Sequence, residues 1–315
     1  MRGMEFGTGE RWAVVAAVSY TVVNVMLRAA APTIDSALGS LIRLVPVLVV
    51  AWVLVLRDGA REFRPSQPAY IGGRLILLLV LGGAASFVLG NILYFGALRN
   101  GGLGITVGGV QAGSVIGGMW MGSFFQREPP RREQLIGGAV IILGLGFVAW
   151  AQTRGLTDLW WIGLLFALAA GTTYAAANVI SRTVQRRKPL VFVSLAGSSL
   201  GGFVPLAIIV VVRALGDPGS IVVDVPSALS VFVAGFANAL ALGSLAMAVR
   251  HAPVTSVNTI SSGSVVFSFV ASVLIFSETG APPMIAGMVL VTAGILIAQI
   301  RRGATPPASR VGAVT

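Results

Sequence analysis

The sequence has no cysteine and only one histidine, His251. The absence of thiols excludes a disulfide scaffold, a thiolate metal site and a cysteine nucleophile, and a single imidazole cannot form a zinc cluster. Charged residues are also scarce, at 10% against about a quarter in soluble domains, whereas 56% of the 315 residues are hydrophobic. The composition therefore favours a chain that folds in lipid, and we expect no metal, no cofactor and no enzymatic activity.

Long apolar runs with little embedded charge predict the membrane-crossing helices. A bilayer core about 30 Å thick needs about 20 apolar residues in each helix. Ten such runs are present, at approximately Trp12 to Ala31, Leu38 to Leu56, Leu75 to Leu98, Leu103 to Phe125, Leu135 to Ala151, Trp160 to Ile180, Leu190 to Val212, Ala228 to Val249, Val254 to Phe276 and Met284 to Ile300. We therefore predict an all-α polytopic membrane protein with ten transmembrane helices.

The basic residues predict how these helices are oriented. If both termini are cytoplasmic, 17 of the 22 basic residues fall on the cytoplasmic side, as the positive-inside rule requires. Only Arg28, Arg99, Arg154 and Arg213 fall outside, and Arg43 lies within the second run. We expect a multi-pass protein of the plasma membrane (the inner membrane of a bacterium) with cytoplasmic N and C termini. The net charge of +11 is then a topology signal and does not indicate a nucleic-acid partner.

The two halves of the chain match each other in order. Tyr, Asn and Arg recur at identical spacing in the first and sixth runs, and further pairs follow: Tyr20 with Tyr174, Asn24 with Asn178, Arg28 with Arg182, Pro46 with Pro205, Ser114 with Ser264, Glu128 with Glu278, Gly137 with Gly287 and Gly144 with Gly294. Because each half has five runs, the second half enters the membrane in the opposite sense. We predict two inverted five-helix repeats in one membrane domain, residues 1–152 and 153–315, the latter ending in a short polar tail. This architecture is typical of secondary transporters.

Several segments also resemble a known family. They are Phe124-Phe125-Gln126-Arg127-Glu128 before Gly137, Ile275-Phe276-Ser277-Glu278 before Gly287, Tyr94-Phe95-Gly96-Ala97-Leu98-Arg99, and Ala246-Met247-Ala248-Val249-Arg250. In this order they resemble the EamA-type drug/metabolite transporter superfamily over nearly the whole chain. The resemblance implies a ten-helix carrier that exports amino acids, other metabolites or drugs. One departure is Gly-Ser-Val, twice, where the family often has proline in the fourth and ninth helices.

Polar side chains in the middle of the runs are the candidate substrate-binding residues, because such groups are costly in lipid and face the bundle interior. They are Tyr20, Asn24, Asn91, Tyr94, Gln111, Ser114, Tyr174, Asn178, Asn238, Asn258, Ser261 and Ser264. The two paired asparagines, Asn24 and Asn178, either bind substrate or bond between helices. Arg43 either reaches the membrane interface or holds a substrate carboxylate at the outer mouth.

Two further patterns concern packing and helix ends. Ser114, Gly118 and Gly122 recur as Ser264, Ser268 and Ser272, which predicts a close packing seam between the fourth and ninth helices. Glu128 and Glu278 lie where helices end and are expected to cap a helix or pair with an arginine. None of the 11 acidic residues lies deep in a run, so no buried carboxylate for proton coupling is evident.

These observations together favour a secondary transporter that exports a small metabolite such as an amino acid by alternating access. The alternative is a transporter or flippase of a lipophilic or lipid-linked compound. A membrane scaffold or enzyme is the least favoured interpretation, since the chain has no histidine cluster, no deep pair of carboxylates and no P-loop. The expected partners are a small-molecule substrate and the lipid bilayer. The sequence leaves open whether the protein is a monomer or a homodimer.

Overall fold

The computed structural model describes residues 7–126, 130–152, 159–185, 191–217, 224–252, 260–278 and 281–299, and the single positions Gly219, Ile221 and Val257. Every regular element within these residues is helical. The all-α prediction is therefore confirmed over the described part of the chain.

Ten α-helices succeed one another within the described residues. In order, α1 to α10 are Thr8–Ala30, Ser36–Leu54, Gly73–Gly83, Asn91–Gln126, Arg132–Gln152, Trp160–Gln185, Val191–Gly216, Val225–His251, Gly263–Phe276 and Pro282–Gln299. A π-helical turn, Val55–Gly59, and a 3₁₀ turn, Ala60–Phe63, follow α2, and a π-helical segment, Ala84–Gly90, joins α3 to α4. Side chains of this second π segment reach the central cavity, which is consistent with the frequent use of π-helix at functional sites.

The ten α-helices do not correspond one to one with the ten predicted spans. Within the described residues, seven helical stretches are long and apolar enough to cross a membrane: Thr8–Ala30, Ser36–Phe63, Gly73–Phe124, Trp160–Ile180, Phe192–Gly216, Val225–Leu245 and Pro282–Gln299. Gly263–Phe276 is a shorter apolar helix, and residues 254–256 and 258–259 of the ninth predicted span lie outside the described part. Several membrane-crossing helices are thus present, whereas the count of ten stays a prediction.

The stretch Gly73–Phe124 reverses direction at Gly102. Gly102 has φ of +72° and ψ of −178°, a conformation that favours glycine because it has no Cβ. Before it, Asn24 of α1 bonds Tyr94 and Arg28 bonds Leu98, so this part of α4 runs parallel to α1. After it, Gly102 lies against Glu278 and Gly104 lies against Ser272, so the chain runs back along α9, which itself runs parallel to α1. The third and fourth predicted spans are therefore antiparallel neighbours, and the non-helical backbone of Gly102 separates the two helical parts of α4.

The glycine-rich half of α4 packs against α6. Gly109 lies against Ala167, Gly113 against the backbone of Leu168, and Gly117 against Thr172. By contrast, Gly118 and Gly122 have no atom of another element within 4 Å. The predicted seam between the fourth and ninth helices is therefore wrong for this stripe, because small residues permit close approach to a neighbour but do not specify which one.

Glycines at matching positions of the two repeats hold α5 and α10 together. Gly137 lies against the carbonyl of Gly294, and Gly144 lies against the carbonyl of Gly287. The two helices are antiparallel, and their backbones approach closely because glycine has no side chain at the points of contact. The opposite faces carry exposed apolar side chains such as Leu143, so this pair forms an outer wall of the bundle.

The printed contacts also set the relative direction of the first helix of each repeat. α6 runs parallel to the second part of α4, since residues 109, 113 and 117 meet residues 167, 168 and 172 in the same order. That part of α4 is antiparallel to α1, so α6 and α1 run in opposite directions. The bundle end at which α1 ends and α4 reverses is called the Gly102 end here, and the opposite end is called the Thr8 end.

Candidate functional site

A cavity of about 630 Å³ lies in the middle of the bundle. It brings together eleven of the twelve candidate residues and Arg43: Tyr20, Asn24, Arg43, Asn91, Tyr94, Gln111, Ser114, Tyr174, Asn178, Asn238, Ser261 and Ser264. The twelfth, Asn258, lies outside the described residues. Their shared cavity makes a joint role geometrically feasible, while contact with a substrate stays a prediction.

Asn24 is bonded on both sides of its amide to neighbouring helices. The Tyr94 hydroxyl donates to Asn24 Oδ1 at 2.7 Å, and Asn24 Nδ2 donates to Ser268 Oγ at 3.0 Å. These bonds connect α1 to α4 and α9. Asn24 therefore acts at least as an interhelical tie, although one of its two amide hydrogens remains available to a ligand.

Asn178 occupies the equivalent place in the sequence of α6 but has different surroundings. Its side chain is exposed on the cavity wall, and no hydrogen bond joins it to another residue of the described part. Its neighbour one turn earlier, Tyr174, instead donates to Asn91 Oδ1 at 2.8 Å. An amide with free donors and acceptor can bind a polar ligand without first breaking a protein contact.

Arg43 lies on the cavity wall. Its NH1 and NH2 groups donate to Asn91 Oδ1 and Asn238 Oδ1 at 3.5 and 3.4 Å, which is the long limit for such bonds. The guanidinium carbon is 5.9 Å from the centre of the Tyr94 ring. The side chain therefore turns into the bundle, where amide oxygens and a ring face meet it, while a role at an outer mouth stays a prediction.

The cavity extends towards the Thr8 end. Leu195 and Ser198 near the start of α7, Leu245 near the end of α8 and Gln299 at the end of α10 all line it. Gln299 Nε2 donates to Ser262 Oγ at 3.0 Å. Sequence reasoning missed these positions because they lie near the ends of apolar runs, where polar residues are ordinary. Their repeated occurrence at the same end was the one available signal.

The Gly102 end is held together by a buried ion pair. Arg28 Nε donates to Glu278 Oε1 at 2.9 Å, and Arg28 NH1 donates to the Leu98 carbonyl at 3.1 Å. The Glu278 carboxylate also accepts the backbone N–H of Leu103 at 2.8 Å and of Gly104 at 3.1 Å. Glu278 thus caps the second part of α4 and pairs with an arginine, which confirms the expectation for this residue; Glu128 lies outside the described residues.

A second arginine strengthens the same end. Arg99 donates from Nε to the Ala31 carbonyl at 3.1 Å and from NH2 to the Ile34 carbonyl at 2.9 Å. These carbonyls follow α1, where the helix leaves its last acceptors without partners. Nearby, Asp35 caps α2 and pairs with Arg213 at 2.9 Å. Charged and backbone groups therefore join α1, α2, α4, α7 and α9 beyond the cavity.

A tryptophan in the fourth run and a glycine-serine motif in the seventh run can also be placed in the fold. Trp120 is 75% exposed on the outside of the bundle, so it does not line the cavity. Residues 197–201 read Gly-Ser-Ser-Leu-Gly, a pattern also found in hydrolase nucleophile turns. Here it lies inside α7, where Ser199 Oγ donates to the Ala196 carbonyl and the outer glycines lie against α3. The pattern serves helix packing.

Comparison with known proteins gives a consistent picture. One solved structure, described as "Crystal structure of protein", is similar to this chain with a TM-score of 0.60 and 15% sequence identity. The match covers 94% of this chain and 99% of the other chain. At this identity the match speaks to the fold alone. No curated protein matches the chain. The EamA-like transporter family matches residues 7–150 and again residues 161–299, once for each predicted repeat. With both halves matched over most of their length, the chain belongs to the EamA-like transporter family.

Proposed function

We propose that this protein is a secondary transporter that exports a small metabolite such as an amino acid by alternating access. The observation that carries the proposal is the cavity of about 630 Å³, whose wall holds amides, hydroxyls and one arginine inside an apolar bundle. Buried polar groups are costly in a membrane and are commonly retained for substrate pathways. The volume lies within the range of small-molecule sites.

The two ends of the bundle support alternating access. The cavity reaches residues near the Thr8 end, whereas the Gly102 end is joined by Arg28, Glu278 and Arg99. The opposite directions of α1 and α6 are those that an inverted repeat requires, and such repeats exchange two arrangements of one helix set. Release at the Gly102 end would require Arg28 and Glu278 to separate.

The orientation in the membrane follows from the charge distribution. The predicted topology assigns most of the basic residues of the sequence to the side of the Thr8 end, so we place that end in the cytoplasm of a bacterial cell together with both termini. The cavity would then receive substrate from the cytoplasm and release it outside. Export is the direction that this arrangement and the family membership favour.

Within the site, we assign different roles to the two paired asparagines. Asn178, Gln111 and Ser261 face the cavity and are proposed to contact the substrate. Asn24 and Asn91 are bonded to Tyr94 and Tyr174, so they are proposed to shape the site as much as to contact its occupant.

A second candidate function is movement of a lipophilic or lipid-linked compound. A groove of about 410 Å³ on the bundle surface favours it, since its lining is nearly all apolar and includes Met119, Trp120 and Phe124. This groove shares no lining residue with the central cavity. The second function would need a lateral opening between them, so the central cavity remains the better-supported site.

A binding screen tests the first proposal. A ligand that binds the native state stabilises it by mass action, by about 2.7 kcal/mol at a ligand concentration of 100 times its Kd. This stabilisation raises the melting temperature. Amino acids, nucleobases, polyamines and lipophilic cations would be added to detergent-purified protein and to its Asn178→Leu and Glu133→Ala variants.

The expected result is a shift from one chemical class that disappears in Asn178→Leu and persists in Glu133→Ala. The same compound should then exchange across proteoliposomes that contain the protein. Binding of lipophilic compounds alone, unaffected by Asn178→Leu, would favour the second function.

A further inference from the structure

Among the residues that the structure describes, Arg43 is the only charged one on the cavity wall. Its side chain is held by two amide oxygens at the long limit of hydrogen bonding, and its Nε is buried without a partner in the described part of the chain. A guanidinium stays protonated in proteins. The cavity therefore holds one full positive charge that the protein compensates only weakly.

Among the described residues, no carboxylate pairs with Arg43. The acidic residues of the sequence are at positions 5, 10, 35, 58, 62, 128, 133, 158, 217, 224 and 278, and none lies in the middle of a predicted span. Two carboxylates with little exposure are already engaged, because Glu278 pairs with Arg28 and Asp35 pairs with Arg213.

The other arginines of the bundle show how the chain satisfies a guanidinium that serves structure. Arg28 has a carboxylate at 2.9 Å, and Arg99 has two backbone carbonyls at 2.9 and 3.1 Å. Arg43 has neither, although it lies deeper along its helix. A buried charge is costly in a membrane, so a guanidinium that the protein pairs poorly indicates a ligand that supplies the missing counter-charge.

We propose that Arg43 binds the carboxylate of the substrate, and that the substrate is an organic monocarboxylate whose other polar groups are neutral. The inference rests on the proposed transport function and changes its preferred substrate from an amino acid to an acid without a free ammonium group. A planar guanidinium matches a carboxylate through two parallel N–H donors, and the free Nε–H supplies one of them. The surrounding amides and hydroxyls suit neutral donors and acceptors.

The same geometry sets which ligands are excluded. A free ammonium has no acidic partner on the described wall, so an amino acid should bind less tightly than the same acid without its amine. A dianionic phosphate would carry two negative charges, one more than the single positive charge of Arg43 can balance. A cationic amide would place a second positive charge beside Arg43 and should not bind.

The test uses matched compounds that differ in one charged group. Leucine, phenylalanine and serine would each be compared with the N-acetyl acid, the deaminated acid and the amino amide, by the melting temperature of the purified full-length protein. The expected result is a shift from N-acetyl and deaminated acids of at least one series, a smaller shift from the amino acid and none from the amide. A shift from an amide, or none from any carboxylate, would overturn the proposal.

Variants separate the role of Arg43 from a structural one. Arg43→Gln should weaken carboxylate binding by about tenfold or more. Arg43→Lys keeps the positive charge but loses the two parallel N–H donors, so it should weaken binding less. Arg132→Gln removes an equal charge at an exposed position that does not line the cavity and should leave binding unchanged. Without ligand, Arg43→Gln should melt no lower than the parent protein; a large fall would make Arg43 structural and overturn the proposal.

Transport measurements distinguish this inference from the proposed function. If an amide is exchanged across proteoliposomes, the protein is a transporter and the carboxylate inference alone is wrong. If carboxylates bind through Arg43 but are not exchanged, the inference stands and the transport proposal is wrong.

Discussion

Asn24 and Asn178 occupy equivalent places in the two sequence repeats but differ in what surrounds them. Asn24 is bonded to Tyr94 and Ser268, whereas Asn178 is exposed on the cavity wall. Sequence reasoning could nominate both, since each is an amide in the middle of an apolar run. It could not separate them, because their partners come from helices far away in the chain.

The two asparagines are therefore expected to respond differently to the same substitution. Asn24→Leu removes two interhelical hydrogen bonds and should destabilise the protein by about 0.6 to 2 kcal/mol. Asn178→Leu should leave the melting temperature nearly unchanged and abolish ligand binding. Thermal unfolding with and without ligand measures both effects. Equal destabilisation by the two changes would contradict the assignment.

At the scale of helices, the reversal at Gly102 depends on a residue from the other half of the chain. The Glu278 carboxylate lies where a Cβ of residue 102 would be and accepts the N–H groups of Leu103 and Gly104. The four N–H groups at the start of a helix have no acceptor within it. A buried helix start in a membrane therefore needs such a partner, and Glu278 also brings the charge that balances Arg28.

Glu278→Gln should be strongly destabilising. The change leaves the Arg28 guanidinium in a largely buried position without its counter-charge, and breaking a buried pair in this way costs about 3 to 5 kcal/mol. Glu133→Gln, at the exposed start of α5, is the matched control and should change stability little. Urea or thermal unfolding in detergent measures the difference. An unchanged melting temperature for Glu278→Gln would show that the ion pair contributes little.

The close packing of α4 on α6 can be tested with two glycines of one helix. Gly113→Ala places a methyl group against the backbone of Leu168 and should cost about 1 to 3 kcal/mol by overpacking. Gly118→Ala meets no neighbouring atom within 4 Å and should be neutral or stabilising by about 0.4 to 1 kcal/mol. Thermal unfolding of the two variants compares them. If Gly118→Ala were instead the more destabilising of the two changes, the predicted packing of this stripe against α9 would be supported.

At the scale of the whole molecule, charge and repeat symmetry predict how the bundle sits in the membrane. In the predicted topology most basic residues of the sequence fall on the cytoplasmic side and few fall on the opposite side. Because the chain has no cysteine, single introduced thiols report on one position at a time.

Labelling of intact cells with a membrane-impermeant thiol reagent should follow this orientation. Arg213→Cys at the Gly102 end should react in intact cells, and Glu133→Cys at the Thr8 end should react only after permeabilisation. The parent protein is the unlabelled control. The opposite pattern would invert the predicted topology and, with it, the direction of the proposed export.

The sequence by itself determined the helical membrane class, the two matched halves and most of the polar set that meets in the cavity. These properties depend on composition, run length and spacing, which are local to each helix. It placed the break between the third and fourth runs at residues 99–102, where the backbone reverses at Gly102, whereas the total of ten crossing helices stays a prediction.

Only the tertiary structure decided which faces meet. It placed Arg43 in the cavity, matched the α4 glycines to α6 and brought Glu278 to Arg28 across 250 residues of chain. The physical reason is that an apolar helix in lipid can pack on several partners with similar energy. The choice among them depends on specific hydrogen bonds, ion pairs and backbone approaches that exist only once all the helices are assembled.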